Sequence, residues 1–225
     1  VTVKNSYGTK LTLDTHYSVT YATGRKAPGT YNVTVKMKGN YTGTKTLSFK
    51  INPISISTCN IKLSSTSFTY DGKVKAPTVT VTNSYGTKLT FGTHYSIIYS
   101  SGRKNVGTYN VTIKMKGNYT GSKTLTFKIN PSKTTVASLV GGTKAITVNV
   151  SKQAVQTTGY QIQYATNKNF INAKTIVIAN NTTLKATLRN LNAATTYYIR
   201  VRTYKTVSNV TYYSDWSAYK YVKTK

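Results

Sequence analysis

An internal repeat constrains the fold of this chain more than any other feature of its sequence. Val1–Pro53 recurs as Val79–Pro131, with most positions identical. Both copies contain Lys-Gly-Asn-Tyr-Thr-Gly, at residues 38–43 and 116–121, and both end in Phe-Lys-Ile-Asn-Pro. Similarity of this kind at a fixed spacing is the sequence signature of tandem modules. We therefore predict two copies of one module within the first 131 residues.

The two copies differ in what precedes them. A leader, residues 54–78, precedes the second copy, and it contains Tyr-Asp-Gly at residues 70–72. No such leader precedes Val1. Because a sheet without its first strands exposes unpaired backbone groups, two interpretations stay open: a processing boundary or an upstream segment, or a strand donated by another molecule. We predict an incomplete first repeat at 1–53, a complete second repeat at 54–131 and a third domain at 132–225.

Apolar and polar residues alternate along much of the chain, and this predicts β-strands. Alternation with a period of two is typical of half-buried strands, and Gly and Asn mark the turns between them. The predicted fold class is all-β, with tandem Ig-like or β-sandwich-type modules. In the second repeat the residues predicted to face inward are Tyr95, Ile97, Tyr99, Val111, Ile113, Met115, Leu125, Phe127 and Ile129.

The repeat motifs resemble a known group of surface modules. Tyr-Asp-Gly, Gly-Thr-Tyr-Asn-Val-Thr at 107–112 and the two motifs shared above resemble the tandem Ig-like or β-grasp-like repeats of large surface proteins in Clostridia and related Gram-positive bacteria. The resemblance implies a structural or stalk segment of an extracellular protein or filament at a bacterial cell surface or cell wall. It implies extension and presentation rather than catalysis.

Residues 132–225 resemble a fibronectin type III domain. The resemblance rests on Gly159–Tyr164, on Arg200-Val-Arg202 and on Ser-Asp-Trp-Ser at 214–217. It implies that Tyr197 is the corner tyrosine of that family. The tryptophan usual in the second strand is replaced by Val150.

Arg200 and Arg202 lie two positions apart, so they share one face of a strand. From that position their guanidinium groups can stack on Trp216 as a cation–π ladder. We favour a structural role for this cluster over ligand binding, because stacked arginines cover an exposed indole.

The charge of the chain is strongly one-sided. There are 31 Lys and Arg residues against three acidic residues, which gives a formal net charge of +28. Such a field attracts polyanions, so cell-wall polymers, anionic glycans and other surface proteins are candidate partners. Nucleic acid is a less favoured partner, because no nucleic-acid-binding motif is present. The candidate anion-binding residues are Arg25, Lys26, Lys36, Lys38, Arg103, Lys104, Lys114 and Lys116. Equally, these residues can serve only to keep strand faces soluble and sheet edges protected.

Groups able to do chemistry are scarce. Asp71 lies in the Tyr-Asp-Gly turn, where an aspartate commonly accepts hydrogen bonds from nearby backbone, and we predict that structural role for it. Cys59 is the single cysteine, so it has no disulfide partner within the chain. We therefore expect no enzyme activity and no cofactor. No apolar stretch approaches the length of a membrane span.

Overall fold

A computed structural model describes the whole chain, Val1–Lys225, and it is an all-β structure as the alternation predicts. The one helical element is a 3-10 turn at Ile56–Thr58. The strands are β1 Tyr17–Tyr21, β2 Gly29–Met37, β3 Thr44–Ile51, β4 Ile54–Ser55, β5 Asn60–Leu63, β6 Ser67–Thr69, β7 Val79–Thr82, β8 Tyr95–Tyr99, β9 Gly107–Met115, β10 Tyr119–Thr120, β11 Ser122–Asn130, β12 Val136–Gly142, β13 Ala145–Val150, β14 Gly159–Ala165, β15 Lys174–Ile178, β16 Lys185–Leu188, β17 Thr196–Val207, β18 Val210–Tyr213 and β19 Lys220–Lys223.

The chain divides into two compact units. The first unit comprises Val1–Lys62, Thr80–Ile98 and Thr112–Lys123. The second comprises Leu63–Val79, Tyr99–Val111 and Thr124–Lys225. The boundaries after residues 53 and 131 that the sequence suggests stay a prediction.

In the first repeat an antiparallel sheet has the order β1-β2-β3. Tyr17 faces Met37 across β1 and β2, and Val33 faces Leu47 across β2 and β3. Because side chains alternate along each strand, these apolar residues share one face of the sheet, and Lys36 lies on the other. The small core on the apolar face is built around Leu11, Tyr17 and Val35.

In the second repeat the sheet has a fourth strand, in the order β6-β11-β9-β8. The added strand β6 comes from the leader and pairs in parallel with the end of β11, with Phe68 opposite Ile129. Two short pairs, β4 with β10 and β5 with β7, complete this repeat. The predicted inward residues lie inward: Val111, Ile113 and Ile129 are fully buried, and the others are buried or half-buried.

Residues 132–225 form two packed sheets. One has the order β12-β13-β16, and the other has β15-β14-β17, with β18 and β19 both pairing with β17. A single core lies between them and includes Tyr160, Ile199 and Val201. Val150 is buried in this core. Two antiparallel sheets packed face to face around one core form a β-sandwich.

No helix in the structure has the length and apolar character needed to cross a membrane.

Candidate functional site

Lys36 and Lys114 lie on the polar face of the sheet in their repeats, on the opposite side of the strand from the buried valine and isoleucine residues beside them. Lys36 on β2 is exposed and stands between Ser18 of β1 and Thr44 of β3. Lys38, Lys114 and Lys116 are exposed as well. All four therefore keep their ammonium groups in water, where they are available to a polyanion.

Arg25 and Lys26 lie at the other end of β2 from Lys36 and Lys38. The turn that carries them ends at Pro28, so the strand separates the two basic pairs by roughly 25 Å at the usual rise per residue. The structure therefore does not bring the predicted basic residues together into one compact site. This arrangement suits a long polyanion better than a small anion.

Arg25 and Arg103 are equivalent in sequence but differ in their bonding. Each guanidinium carbon lies over a tyrosine ring, at 4.6 Å from Tyr21 and 4.7 Å from Tyr99 respectively. Arg103 also donates from Nε to the Lys75 carbonyl at 2.9 Å and from a terminal nitrogen to the Ser100 carbonyl at 2.6 Å. Lys75 belongs to the leader of the second repeat, so only Arg103 has this partner. Two of its five N–H donors are thereby used within the fold, while neighbouring Lys104 stays exposed.

Two of the three acidic residues, Asp71 and Asp215, pair with lysines, and most of the positive charge of the chain is left uncompensated. Asp71 accepts a hydrogen bond from the Lys75 ammonium group at 2.5 Å and from the Lys73 amide at 2.9 Å. Both bonds hold the pKa of the Asp71 carboxyl below its ordinary value, and the bond from Lys75 has the larger effect. Asp215 pairs with Lys133 at 2.9 Å on the surface. Asp71 thus accepts one hydrogen bond from nearby backbone and one from a lysine side chain.

Arg200, Arg202 and Trp216 form one stacked cluster. The guanidinium carbons lie 5.0 Å and 4.3 Å from the centre of the indole. Two further rings extend the stack, Phe170 at 4.0 Å from Arg200 and Tyr213 at 4.0 Å from Arg202. Neither ring is predicted from the sequence, because Phe170 and Tyr213 lie outside β17 and carry no spacing signal.

Two glutamines hold the arginines of this cluster in place. Arg200 Nε donates to Gln163 at 2.7 Å, and Arg202 Nε donates to Gln161 at 2.8 Å. The glutamines lie directly opposite the arginines on the neighbouring strand. Burial lowers the pKa of both guanidinium groups from their ordinary value, although a guanidinium stays charged in any case. The alternation Gln161-Ile-Gln163 against Arg200-Val-Arg202 is the sequence signal that identifies this pairing.

Tyr197 lies at the start of β17 with a buried ring. Its hydroxyl accepts a hydrogen bond from the Asn192 amide at 3.1 Å. A tyrosine that ties a loop back to the strand that follows it is the corner tyrosine of sandwich domains.

Cys59 is a buried free thiol in the leader of the second repeat. Its sulfur lies 3.8 Å from the Ser55 carbonyl, and burial raises the pKa of the thiol. No group of three or more His, Cys, Asp or Glu side chains is arranged to hold a metal ion.

A cavity of about 470 Å³ lies in the first repeat. It is bounded by the chain start, the end of β2 and the beginning of β3; the lining residues are Val1, Thr2, Val3, Lys4, Val35, Met37, Thr42, Gly43, Thr44, Lys45 and Leu47. We call it the first-repeat groove.

The residues that join the second repeat to the third domain are hydrogen-bonded to both. The Ser132 hydroxyl donates to the Tyr70 carbonyl at 2.7 Å, and the Ser132 carbonyl accepts from the Thr203 hydroxyl at 2.6 Å. Pro131 and Thr134, on either side, are buried.

A loop of the second repeat adds direct contacts at the same junction. The Val106 amide donates to the Gln156 side chain at 3.1 Å, and the hydroxyls of Thr108 and Tyr212 are 3.0 Å apart. We call these two contacts, together with Ser132, the junction. All of its residues belong to the second compact unit.

Comparison with known proteins connects one part of the chain to a family. Residues 59–133 match the family model of the MBG domain. Because Val1–Pro53 repeats Val79–Pro131, the first repeat copies most of the matched segment. No curated protein matches the chain in sequence.

Several solved structures show weak similarity in fold. Domains FN1-FN3 of chicken CNTN1 have 17% identity and a TM-score of 0.39, over 87% of this chain and 78% of that one. Domains A168-A170 of titin have 14% identity and a TM-score of 0.32, over 97% and 86%. A cytokine receptor complex has 13% identity and a TM-score of 0.42, over 73% and 96%. At these values the similarities carry no information about function. The chain thus consists of all-β modules, of which residues 59–133 match the MBG domain.

Proposed function

We propose that this chain is a non-catalytic, stalk-type segment of an extracellular surface protein or filament in a Gram-positive bacterium. In this role, tandem β modules hold another part of the protein away from the cell wall. The observation that carries the proposal is the junction, where two modules are joined by a short, bonded connection.

A stalk needs stiff joints between its modules. Neighbouring domains move relative to each other by default, unless the interface between them restrains them. Here Ser132 is bonded on both sides, so rotation about the connection breaks hydrogen bonds. Val106 and Tyr212 are buried at the same place, and unpairing the Val106 amide leaves a donor without a partner, which is costly in a buried setting. The junction therefore favours one orientation of the second repeat and the third domain.

The match to the MBG domain and the internal duplication support the same role. A duplicated module adds length without adding a new site, and within the first repeat the two basic pairs lie at opposite ends of β2. The chain has only three acidic residues, and two of them pair with lysines, which leaves few groups for acid–base chemistry.

The stalk proposal is tested by measuring how the modules of the second unit tumble. ¹⁵N relaxation gives separate rotational correlation times for Tyr99–Val111 and for residues 136–225. We expect equal values in the unaltered chain. The double variant Thr108→Val, Gln156→Ala should separate them, because it removes both loop contacts.

The first repeat supplies the matched control for that experiment. Thr30 is the equivalent of Thr108, and it is exposed. Thr30→Val should leave the correlation times of the second unit unchanged. Different correlation times in the unaltered chain would contradict the stalk proposal.

A second candidate function is adhesion to an anionic polymer. The observation that favours it is the exposure of Lys36, Lys38, Lys114 and Lys116 on a chain of net charge +28. Repeated weak sites add up to useful avidity on a polymer. Cell-wall polymers and anionic glycans are the proposed ligands.

Salt dependence tests this second candidate. Binding to teichoic acid, heparin and DNA is measured between about 50 and 200 mM salt, a range in which charge-driven binding loses affinity steeply. Lys36→Ala with Lys38→Ala should lower the salt slope. The absence of binding to all three polymers at low salt would rule this candidate out, and a preference for DNA would point to nucleic acid instead.

A further inference from the structure

Four aromatic rings lie together on the outer face of one sheet in the third domain. Tyr198 of β17 stands directly opposite Tyr221 of β19, and their ring centres are 5.8 Å apart. The ring of Tyr219 lies 5.4 Å from that of Tyr198 and 6.3 Å from that of Phe170. We call these four residues the tyrosine platform. All of them belong to the second compact unit.

The tyrosine platform is not part of the core of the domain. Tyr197 and Ile199, on either side of Tyr198 along β17, point inward and are buried. Because side chains alternate along a strand, Tyr198 points outward. Tyr221 is 68% exposed and Tyr219 is 45% exposed. Two large aromatic side chains therefore offer ring surface to solvent on a sheet whose core is already filled.

The face that carries the platform belongs to a formed sheet. β17 pairs with β14 along one edge and with β18 and β19 along the other. The exposure of the platform is therefore a property of the outer surface of this sheet, and it does not arise from an unpaired strand edge.

The hydroxyls of the platform differ from those of the buried tyrosines. Tyr160 and Tyr197 are buried, and each accepts a hydrogen bond from a nearby backbone amide. Buried tyrosines usually find such a partner. The three tyrosine hydroxyls of the platform form no hydrogen bond within the protein, and they are not buried. They are therefore free to donate to a ligand and to accept from it.

A strained loop positions the fourth ring of the platform. Phe170 has a φ of 58°, a backbone conformation that bulky residues rarely adopt. The Asn167 side chain accepts from the Ile171 amide at 3.0 Å and donates to the Ile171 carbonyl at 2.9 Å. These bonds close the loop around Phe170, whose ring centre lies 4.0 Å from the guanidinium carbon of Arg200. The platform is thereby joined to the arginine stack.

The charge beside the platform is positive. Lys223 is exposed, and it lies two positions after Tyr221, on the same face of β19. Arg200 uses only Nε in a hydrogen bond, to Gln163, so its two terminal nitrogens remain available as donors. The third domain has one acidic residue, Asp215, and it is already engaged in an ion pair. The platform therefore complements a ligand that carries negative charge.

We propose that the tyrosine platform binds an acidic polysaccharide whose sugar rings carry carboxylate groups. The sugars lie with their C–H faces on Tyr219 and Tyr221, because an aromatic face is the negative side of the ring quadrupole and those C–H bonds are weakly positive. The tyrosine hydroxyls bond to sugar hydroxyls. Carboxylates of the chain pair with Lys223 and with the free nitrogens of Arg200 in charge-assisted hydrogen bonds.

Single-stranded nucleic acid fits the same rings less well. Proteins that hold such strands combine aromatic side chains with a positively charged groove that follows the phosphates. Here Arg200 and Arg202 are stacked between rings, and each is tied to a glutamine. Lys223 is left as the exposed cation on the face of the platform. A polysaccharide with spaced carboxylates needs fewer cations than a chain with a phosphate at every unit.

The inference goes beyond both functions proposed above. The stalk role depends on the junction, and the second candidate depends on lysines of the two repeats. The platform uses neither, because it lies on β17, on β19 and on the segments next to them in the third domain. A platform variant that fails to bind sugar therefore leaves the tests of those two functions unchanged.

A titration with defined ligands tests the platform. The full chain is titrated with a short oligogalacturonate, with its neutral methyl ester and with oligo-dT, at about 150 mM salt, where attraction between distant exposed charges is largely screened. Calorimetry gives the affinities, and ¹H–¹⁵N spectra locate the site. We expect the oligogalacturonate to bind most tightly of the three, with shifts centred on Tyr198 and on residues 219–223.

Two double variants separate ring stacking from loss of structure. Tyr219→Ala with Tyr221→Ala should weaken oligogalacturonate binding about tenfold or more, because both stacking surfaces are lost. Tyr219→Phe with Tyr221→Phe keeps both rings, and the affinity should stay within about threefold. As a control, Tyr85→Ala removes an 81% exposed ring from the second repeat and should change the affinity by less than about twofold.

The role of charge is tested at Lys223. Lys223→Gln should weaken binding of the oligogalacturonate about threefold or more, because an ion pair with a carboxylate is lost. It should leave binding of the neutral ester unchanged. Lys185→Gln is the matched control, since Lys185 is exposed on β16 of the other sheet, and it should affect neither ligand.

Three results would overturn the proposal. The first is no binding of the oligogalacturonate at millimolar concentration. The second is an affinity that the two alanine substitutions together change by less than about twofold, which would place the sugar elsewhere. The third is equal or tighter binding of the neutral ester or of oligo-dT, which would make a neutral glycan or a nucleic acid the ligand.

Discussion

The arginines of the third domain take their role from their neighbours. Arg200 and Arg202 lie between rings, and each is fixed by a glutamine on the facing strand. A guanidinium held flat over an aromatic face gains cation–π attraction, and its aliphatic stem covers apolar surface. Because the guanidinium is a planar, pre-organised group, less side-chain entropy is lost for each hydrogen bond that it forms. The cluster therefore stabilises the sheet that carries β17.

Arg202→Ala tests the stabilising role of this cluster. We expect the free energy of unfolding of the third domain to fall by about 1–2 kcal/mol, because the change removes contacts with Trp216 and Tyr213. Arg189, which is exposed on the surface, is the control, and Arg189→Ala should change stability by less than about 0.5 kcal/mol. Urea unfolding followed by Trp216 fluorescence measures both. Equal effects of the two substitutions would contradict a structural role for the stack.

At the scale of single elements, the equivalent strands β3 and β11 show how a neighbouring strand changes burial. β3 and β11 have nearly the same sequence, but only β11 has the leader strand β6 beside it. The difference in burial between Phe49 and Phe127 therefore comes from the neighbouring strand and not from local sequence. In the second repeat, β6 covers the edge of β11, and Phe127 on that strand is buried.

Matched alanine substitutions measure this difference. Phe127→Ala should destabilise the second repeat by about 3–5 kcal/mol, as is typical for removal of a buried aromatic ring. Phe49→Ala should cost about 1–2 kcal/mol, because its ring already contacts water and loses less apolar burial. Hydrogen exchange of the β2 and β9 amides reports the stability of the first and the second repeat separately, in one sample. A similar loss of protection in both strands would contradict the covering role given to β6.

The longer strands were accessible to sequence analysis because their alternation is local. The core positions Val111, Ile113 and Phe127 follow from that alternation alone, and so does the shared face of Arg200 and Arg202. The strands β4 and β10 have only two residues each, too few to show an alternating pattern. Their pairing also joins segments that are far apart in sequence. Phe170 and Tyr213 join the arginine stack for the same long-range reason. The contact between Gln156 and Val106 could not be predicted either, because no local sequence pattern marks a contact between two modules.

For the whole molecule, the arrangement of charge and the bonding of the junction point to two different uses. The charge is spread along strands and turns, which suits weak contacts with a long polymer. In the proposed stalk role, the junction restricts motion between the second repeat and the third domain, which suits a spacer. A spacer with a basic surface can serve both uses, and the proposed stiffness depends on specific contacts that a substitution removes.

Residual dipolar couplings of the amides in the second unit test the stalk account most directly. They are measured in a neutral alignment medium, because a charged medium would bind a chain of this charge. The account predicts that one alignment tensor fits both the second-repeat amides, at Tyr99–Val111 and residues 124–130, and the third-domain amides, at residues 136–225. Two tensors of different orientation or magnitude for those groups would show that the junction does not hold the modules together, and would contradict the account.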